Sequence, residues 1–249
     1  TFPLFGERNS MSVIKKFALA AAGTAMVAFG SIGEAQAISF SETGDAGRTL
    51  GTARVLTGTP GTNITSISGS LGGNADLFKF YSAGGSFRAT TVPFTDIRRG
   101  VDRAVSDTQL FLFDANGFGV LANDDASDLT TRSTIEGILS AGFYYLGISG
   151  WDFDPVSRMA SGSNGLREIF PDSFTGINGP TGPGGSRPLQ DWRGSSSYSG
   201  TYRIDLTGAQ VVGVPEPASV MGLLAFGALG VAARKRKQSQ KAVQVAVES

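Results

Sequence analysis

Between residues 38 and 210, apolar side chains recur at every second position in short runs broken by Gly, Asn and Asp, and little repeats with helical period. Thr62–Ser70 alternates around Ile64 and Ile67, which stand three positions apart and so predict an irregularity between them. Asp76–Tyr81 places Phe78 and Phe80 on one face. Ala83-Gly84-Gly85 then reads as a turn into Ser86–Val92, where Phe87 and Ala89 share a face. In Asp107–Asp114, Leu110 and Leu112 point one way, Phe111 and Phe113 the other, and Asn116-Gly117 turns the chain into Phe118–Asn123. Ser133–Leu139 carries Ile135. Ala141-Gly142 leads into Phe143–Ser149 with Tyr144, Leu146 and Ile148 on one side, and Thr201–Thr207 closes the series with Tyr202, Ile204 and Leu206. About eight strands of this length predict an all-β body, an antiparallel β-sandwich with both inner faces buried.

The two ends follow another pattern. Residues 1–10 precede Met11 and read as an over-extended start. Lys15 and Lys16 then form a basic segment, and Phe17 to Phe29 an apolar run. Ala35-Gln36-Ala37 forms a small-x-small cleavage site, so residues 11–37 read as a signal peptide cut by signal peptidase after Ala37. At the other end, Pro215-Glu216-Pro217 precedes the uncharged run Ala218–Ala233 of 16 residues, slightly under the ~17–25 of a full span. Arg234, Lys235, Arg236 and Lys237 form the anchor stop, since basic residues are retained on the cytoplasmic side. The body is thus expected to be carried outward between an N-terminal signal helix and a C-terminal transmembrane helix, leaving residues 239–249 as a cytoplasmic tail.

Composition narrows the chemistry. Over residues 38–214, 12 Arg and Lys79 stand against 17 Asp and Glu, a net −4, which argues against nucleic acid as a partner. The chain holds no Cys and no His. Disulfides, thiolate metal sites, His-ligated zinc and a Ser-His-Asp triad are excluded. Gly at 35 of 249 is about twice the usual ~7% and favours tight turns.

The Pro215-Glu216-Pro217 turn, the short apolar run and the basic stop together resemble the PEP-CTERM sorting signal, here over residues 211–238. The resemblance implies processing by a membrane exosortase near Pro215, Glu216 and Pro217. An inner-membrane-anchored precursor would then pass to the cell envelope, outer surface or extracellular matrix. A second resemblance runs through Asn74–Phe80, Leu110–Gly117, Asn123-Asp124-Asp125, Ala141–Leu146 and Gly200–Leu206. It is similar to the bacterial pre-peptidase C-terminal (PPC) family. That likeness implies a non-catalytic, jelly-roll-like sandwich over residues 38–210, from which residues 150–197 depart as a loop insertion.

Two features could bind a ligand. Asp114, Asn116, Asp124 and Asp125, with Asn123, are oxygen donors at a predicted hairpin and the turn after it, and hard oxygen ligands suit calcium. Asp76 and Asp107 start two strands and join them if those ends converge. The competing reading is plain turn chemistry, because Asp and Asn side chains cap local backbone groups. The insertion carries both tryptophans, Trp151 and Trp192, and a Gly/Pro/Ser-rich stretch from Gly176 to Pro188. It reads as a mobile surface loop, or as a recognition loop whose aromatics stack on sugar rings, with Trp151 equally suited to a core position capping the sandwich. The expectation is a non-catalytic structural or adhesive component of the envelope or its exopolysaccharide matrix. The alternative is a calcium-dependent carbohydrate-binding module, and a third reading is a secreted glycosidase.

Overall fold

Alternating β-branched and aromatic positions, punctuated by glycines that accept positive φ, leave the body few conformations other than extended strands joined by tight turns. The computed structural model describes residues 37–98, 101–158, 165–171, 175–195 and 197–213, and everything below concerns these. The expected signal helix, with Ala35, lies outside the described residues. So does the expected C-terminal helix, with Pro215, Glu216, Pro217, Arg234, Lys235, Arg236 and Lys237. Ala37 is the first residue described. Among the described residues no helix is long and apolar enough to cross a membrane, and the fold is all-β.

The early strands are β1 (Ala37–Ser41), β2 (Arg54–Val55), β3 (Thr57–Gly58), β4 (Asn63–Leu71) and β5 (Asp76–Thr90). Next come β6 (Ile97–Arg98), β7 (Val101–Asp102), β8 (Thr108–Asp114), β9 (Gly119–Asn123) and β10 (Thr134–Gly150). The last are β11 (Phe153–Arg158), β12 (Leu166–Glu168), β13 (Asp191–Gly194), β14 (Gly200–Thr207) and β15 (Val212–Gly213). The main sheet runs β1-β4-β14-β5-β10-β8-β9, with β2 also on β5. It is mixed rather than antiparallel, because β1 lies parallel to β4 and β2 parallel to β5. Parallel neighbours need a long return path, which residues 42–62 supply between β1 and β4. The predicted irregularity between Ile64 and Ile67 is a register shift: Ile38 faces Ile64, but Ser39 already faces Ser66.

Ala83-Gly84-Gly85 does not end a strand. β5 continues through it, paired with β10 from Asp76–Ile148 to Thr90–Thr134 without loss of register. Gly84 and Gly85, at φ +91° and +100°, let the ribbon bend instead of breaking. Core-facing positions change phase across the bend: Phe78 and Phe80 before it, Phe87 and Ala89 after it, with Leu146 and Ile148 against Ile135 and Leu139 on β10. Both wings of the bent sheet, with Ile64, Ile67, Leu110, Leu112, Tyr202 and Ile204, line one apolar core, and the arrangement is sandwich-like.

The described residues of the predicted loop insertion form strands and hydrogen-bonded turns. β11, β12 and β13 form a small sheet of their own in the order β12-β11-β13. A second core fills between that sheet and the outer face of β5, β8 and β10, built from Leu77, Phe111, Phe113, Tyr145, Phe153, Phe170 and Trp192. Strand β8 is therefore buried on both sides, leucines one way and phenylalanines the other, as its alternation predicts. The Gly-rich stretch lies against β12 and the residues after it. The Gly182 and Gly184 amides donate to the Ile169 and Glu168 carbonyls at 3.1 and 2.7 Å. A Cβ at either glycine would collide with that backbone, so side chains are excluded there by space.

Candidate metal centre and the sorting segment

Strands β8 and β9 pair antiparallel with Leu110 opposite Asn123, which puts the residue before β8 beside the two residues after β9. Asp107, Asp124 and Asp125 meet there, each offering a carboxylate oxygen, all within 4.8 Å of one another. Asn123 holds the turn. Its buried amide nitrogen donates to the Asp125 and Gly176 carbonyls at 2.8 and 2.7 Å, while its oxygen accepts from the Thr134 amide at 2.6 Å. The segment after β11–β12 seals the β9 edge through paired bonds between Ala122 and Asn178, both 2.8 Å.

The electrostatics of this cluster are unfavourable as it stands. Burial, then Asp125, Asp107 and Asp154, push Asp124 up to about 7. Burial and Asp125 raise Asp107, against a hydrogen bond from Tyr198 and the field of Arg132. Burial and Asp128 raise Asp125. One oxygen on each of the three carboxylates, and Nη1 of Arg132, are buried without a hydrogen-bond partner. Desolvated like charges of this kind favour either protons or a cation between them.

Asp114 and Asn116 do not join this cluster. They sit at the far end of the hairpin, roughly 20 Å away at ~3.3 Å per strand residue. There Asp114 Oδ1 accepts from the Asn116 and Phe118 amides at 2.8 and 2.9 Å, and Gly117 takes φ +85°. That end is turn chemistry. Asp76 belongs to another pocket of about 510 Å³ lined also by Glu42, Asp45 and Asn74. The hydroxyl of Tyr202 bridges Asp76 at 2.8 Å and Glu42 at 3.1 Å.

The two tryptophans part company. Trp192 is 5% exposed, stacked on Phe153 at 6.2 Å and edge-on to Phe111 at 5.3 Å. Its indole nitrogen donates to the Arg48 carbonyl at 2.6 Å. A Cβ at Gly147 would meet the indole at 3.0 Å, so glycine on β10 makes room for it. Trp192 is a core residue with no face left for a sugar. Trp151 is 49% exposed, because Asp152 at φ +60° turns the chain sharply from β10 into β11 and leaves the indole outside. Its ring lies edge-on to Tyr198 at 6.4 Å, and its amide donates to the Asp107 carbonyl at 3.4 Å. Exposed aromatic and acidic cluster thus share one end of the sheet. No motif in the sequence marks Tyr198 or Arg132; only the folded register brings them to Asp107.

No curated protein matches the chain. Residues 213–237, starting at the last residue of β15, match the PEP-CTERM protein-sorting motif, and the chain therefore carries an exosortase-type sorting signal behind an all-β body.

Proposed function

We propose that this chain is an exported, non-catalytic surface protein, a structural or adhesive component of the cell envelope or extracellular matrix. In this reading signal peptidase removes residues 11–37, the C-terminal segment anchors the precursor in the inner membrane, and an exosortase processes it near Pro215-Glu216-Pro217. The observation that carries the reading is the sorting motif over residues 213–237, directly following the all-β body. The body is read as a jelly-roll-like sandwich of the PPC kind, its outer face covered by the 150–197 segment. Fractionation of cells expressing the full chain, or the chain lacking residues 215–237, tests it. The full chain should reach the outer surface or medium, and the deletion should not. An unchanged distribution would overturn the sorting reading.

A second reading, carbohydrate binding at the matrix, is favoured by one arrangement: the half-exposed Trp151 against Tyr198, beside Asp107. A flat aromatic next to hydrogen-bonding groups suits a sugar ring. Calorimetric titration with envelope exopolysaccharide should then show heat that Trp151→Ala removes and Trp192→Phe keeps. No heat with the native chain leaves the scaffold role.

A further inference from the structure

We propose that Asp107, Asp124 and Asp125 form a binding site for a hard divalent cation, calcium, at the end of the β8–β9 hairpin. This goes beyond the sorting reading and does not depend on it.

Two independent observations meet here. The first is convergence: three carboxylates from two strand ends bring their oxygens within 4.8 Å of one another. Oxygens on opposite sides of a calcium ion, at bond lengths of about 2.3–2.6 Å, stand about 5 Å apart. The second is the state of Asp124, which is 7% exposed, with Oδ1 buried and lacking any hydrogen-bond partner. A buried carboxylate oxygen with nothing to accept from is costly unless a cation supplies the missing partner. Among the described residues, no ion pair reaches any of the three carboxylates. Arg132 feels the field of Asp107, yet its own Nη1 is unpartnered.

The donor set selects the cation. All three ligands are hard oxygens, with no imidazole or thiolate anywhere in the chain, which favours calcium over zinc, copper or nickel. Calcium's higher coordination number also suits a partly open site, where water completes the shell; magnesium demands a tighter octahedron. Three acidic ligands on a surface-proximal turn point to an affinity of the extracellular class, Kd about 10⁻⁴–10⁻³ M. Binding there would fix Asp107, and with it Tyr198 and the ring of Trp151.

The full chain, purified in mild detergent and stripped with EDTA, is titrated with calcium chloride by calorimetry and by thermal unfolding. One saturable site and a rise in Tm are expected. Asp124→Asn should weaken binding at least tenfold and, by relieving repulsion, raise Tm in EDTA. Should Asp124→Asn fail to fold, Asp125→Asn serves the same test. Terbium(III), which takes oxygen ligands as calcium does, should show emission sensitised by Tyr198 and Trp151 that calcium displaces. Asp76→Asn, in the separate pocket, should bind calcium as the native chain does. Three results would each overturn the site: no calcium effect up to about 10 mM, well above the extracellular range; unchanged binding in both Asp124→Asn and Asp125→Asn; or tighter magnesium than calcium.

Discussion

Phe80 and Phe87 stack face to face, centroids 5.4 Å apart and planes 11° from parallel, although both belong to the same strand. Seven residues of straight β-strand would carry them roughly 23 Å apart. The bend at Gly84 and Gly85 brings them together, and both glycines hold a φ that L side chains rarely adopt. Gly85→Ala, where a Cβ meets nothing within 4 Å, isolates the backbone cost. It should lower stability by about 1–2 kcal/mol. Gly84→Ala should cost more, because its Cβ also presses the Ala141 amide at 3.3 Å. Urea denaturation of the two variants measures both: negligible losses would show that the bend does not depend on these conformations, and equal losses that the Gly84 contact adds nothing.

The tryptophans should separate stability from recognition. Trp192→Ala removes the centre of the second core and should cost about 3–5 kcal/mol. Trp151→Ala, at a half-exposed position, should change stability by less than about 0.5 kcal/mol. Chemical denaturation of the two variants checks the contrast. A small loss at Trp192 would mean that the 150–197 segment is not held down by its aromatic contacts.

Stability should fall as pH rises through the acid range, and Asp76 should account for part of the slope. Burial, then Glu42 and Asp45, push its folded pKa up to about 7, against the hydrogen bond from Tyr202; the unfolded value is 3.8. Between those values the folded chain keeps a proton that the unfolded chain has lost. Its contribution is therefore neutral below the unfolded value, grows more unfavourable up to the folded value and stays constant above it. At about 1.4 kcal/mol per unit, the penalty above neutrality reaches a few kcal/mol. Asp76→Asn should flatten this part of the profile. Thermal unfolding at about pH 4.5 and about pH 7.5, compared between the variant and the native chain, reads the difference; parallel profiles would remove Asp76 as the source.

The alternation of Leu110, Phe111, Leu112 and Phe113 carried a true statement about two faces, because period-two burial leaves its mark locally. The same local reasoning took Gly84-Gly85 for a turn, since a glycine pair signals positive φ but does not say whether the flanking segments pair with each other or with a third strand. Here β10 holds both halves, and that pairing is non-local. The mixed sheet, likewise, depends on where β1 returns. In the candidate site, Asp124 and Asp125 were visible as oxygen donors. Their partner Asp107 is set by the β8–β9 register; Arg132 comes from the loop before β10, and Tyr198 from the segment before β14, far along the chain. Trp192 looked like its exposed counterpart because composition cannot distinguish a tryptophan that covers a sheet from one that faces solvent.

Asp114 provides the control that separates turn chemistry from the cation site. Its carboxylate caps two amides of the β8–β9 turn and lies at the opposite end of the hairpin from Asp124. Losing those bonds leaves two amides near solvent, which water can satisfy in part, so Asp114→Ala should cost about 1 kcal/mol. It should leave the calcium titration unaltered, because Asp107 is brought to Asp124 by the Leu110–Asn123 end of the ladder and by Asn123, both at the other end of the hairpin from the substitution. Asn123→Ala should do the reverse. It removes the amide that holds the Asp125 and Gly176 carbonyls, and should lower calcium affinity even though Asn123 itself carries no charge. Calorimetry on the two variants decides between the ends of the hairpin. If Asp114→Ala abolished calcium binding while Asn123→Ala spared it, the cation would belong to the turn and the cluster at Asp107 would have to be balanced by protons and Arg132.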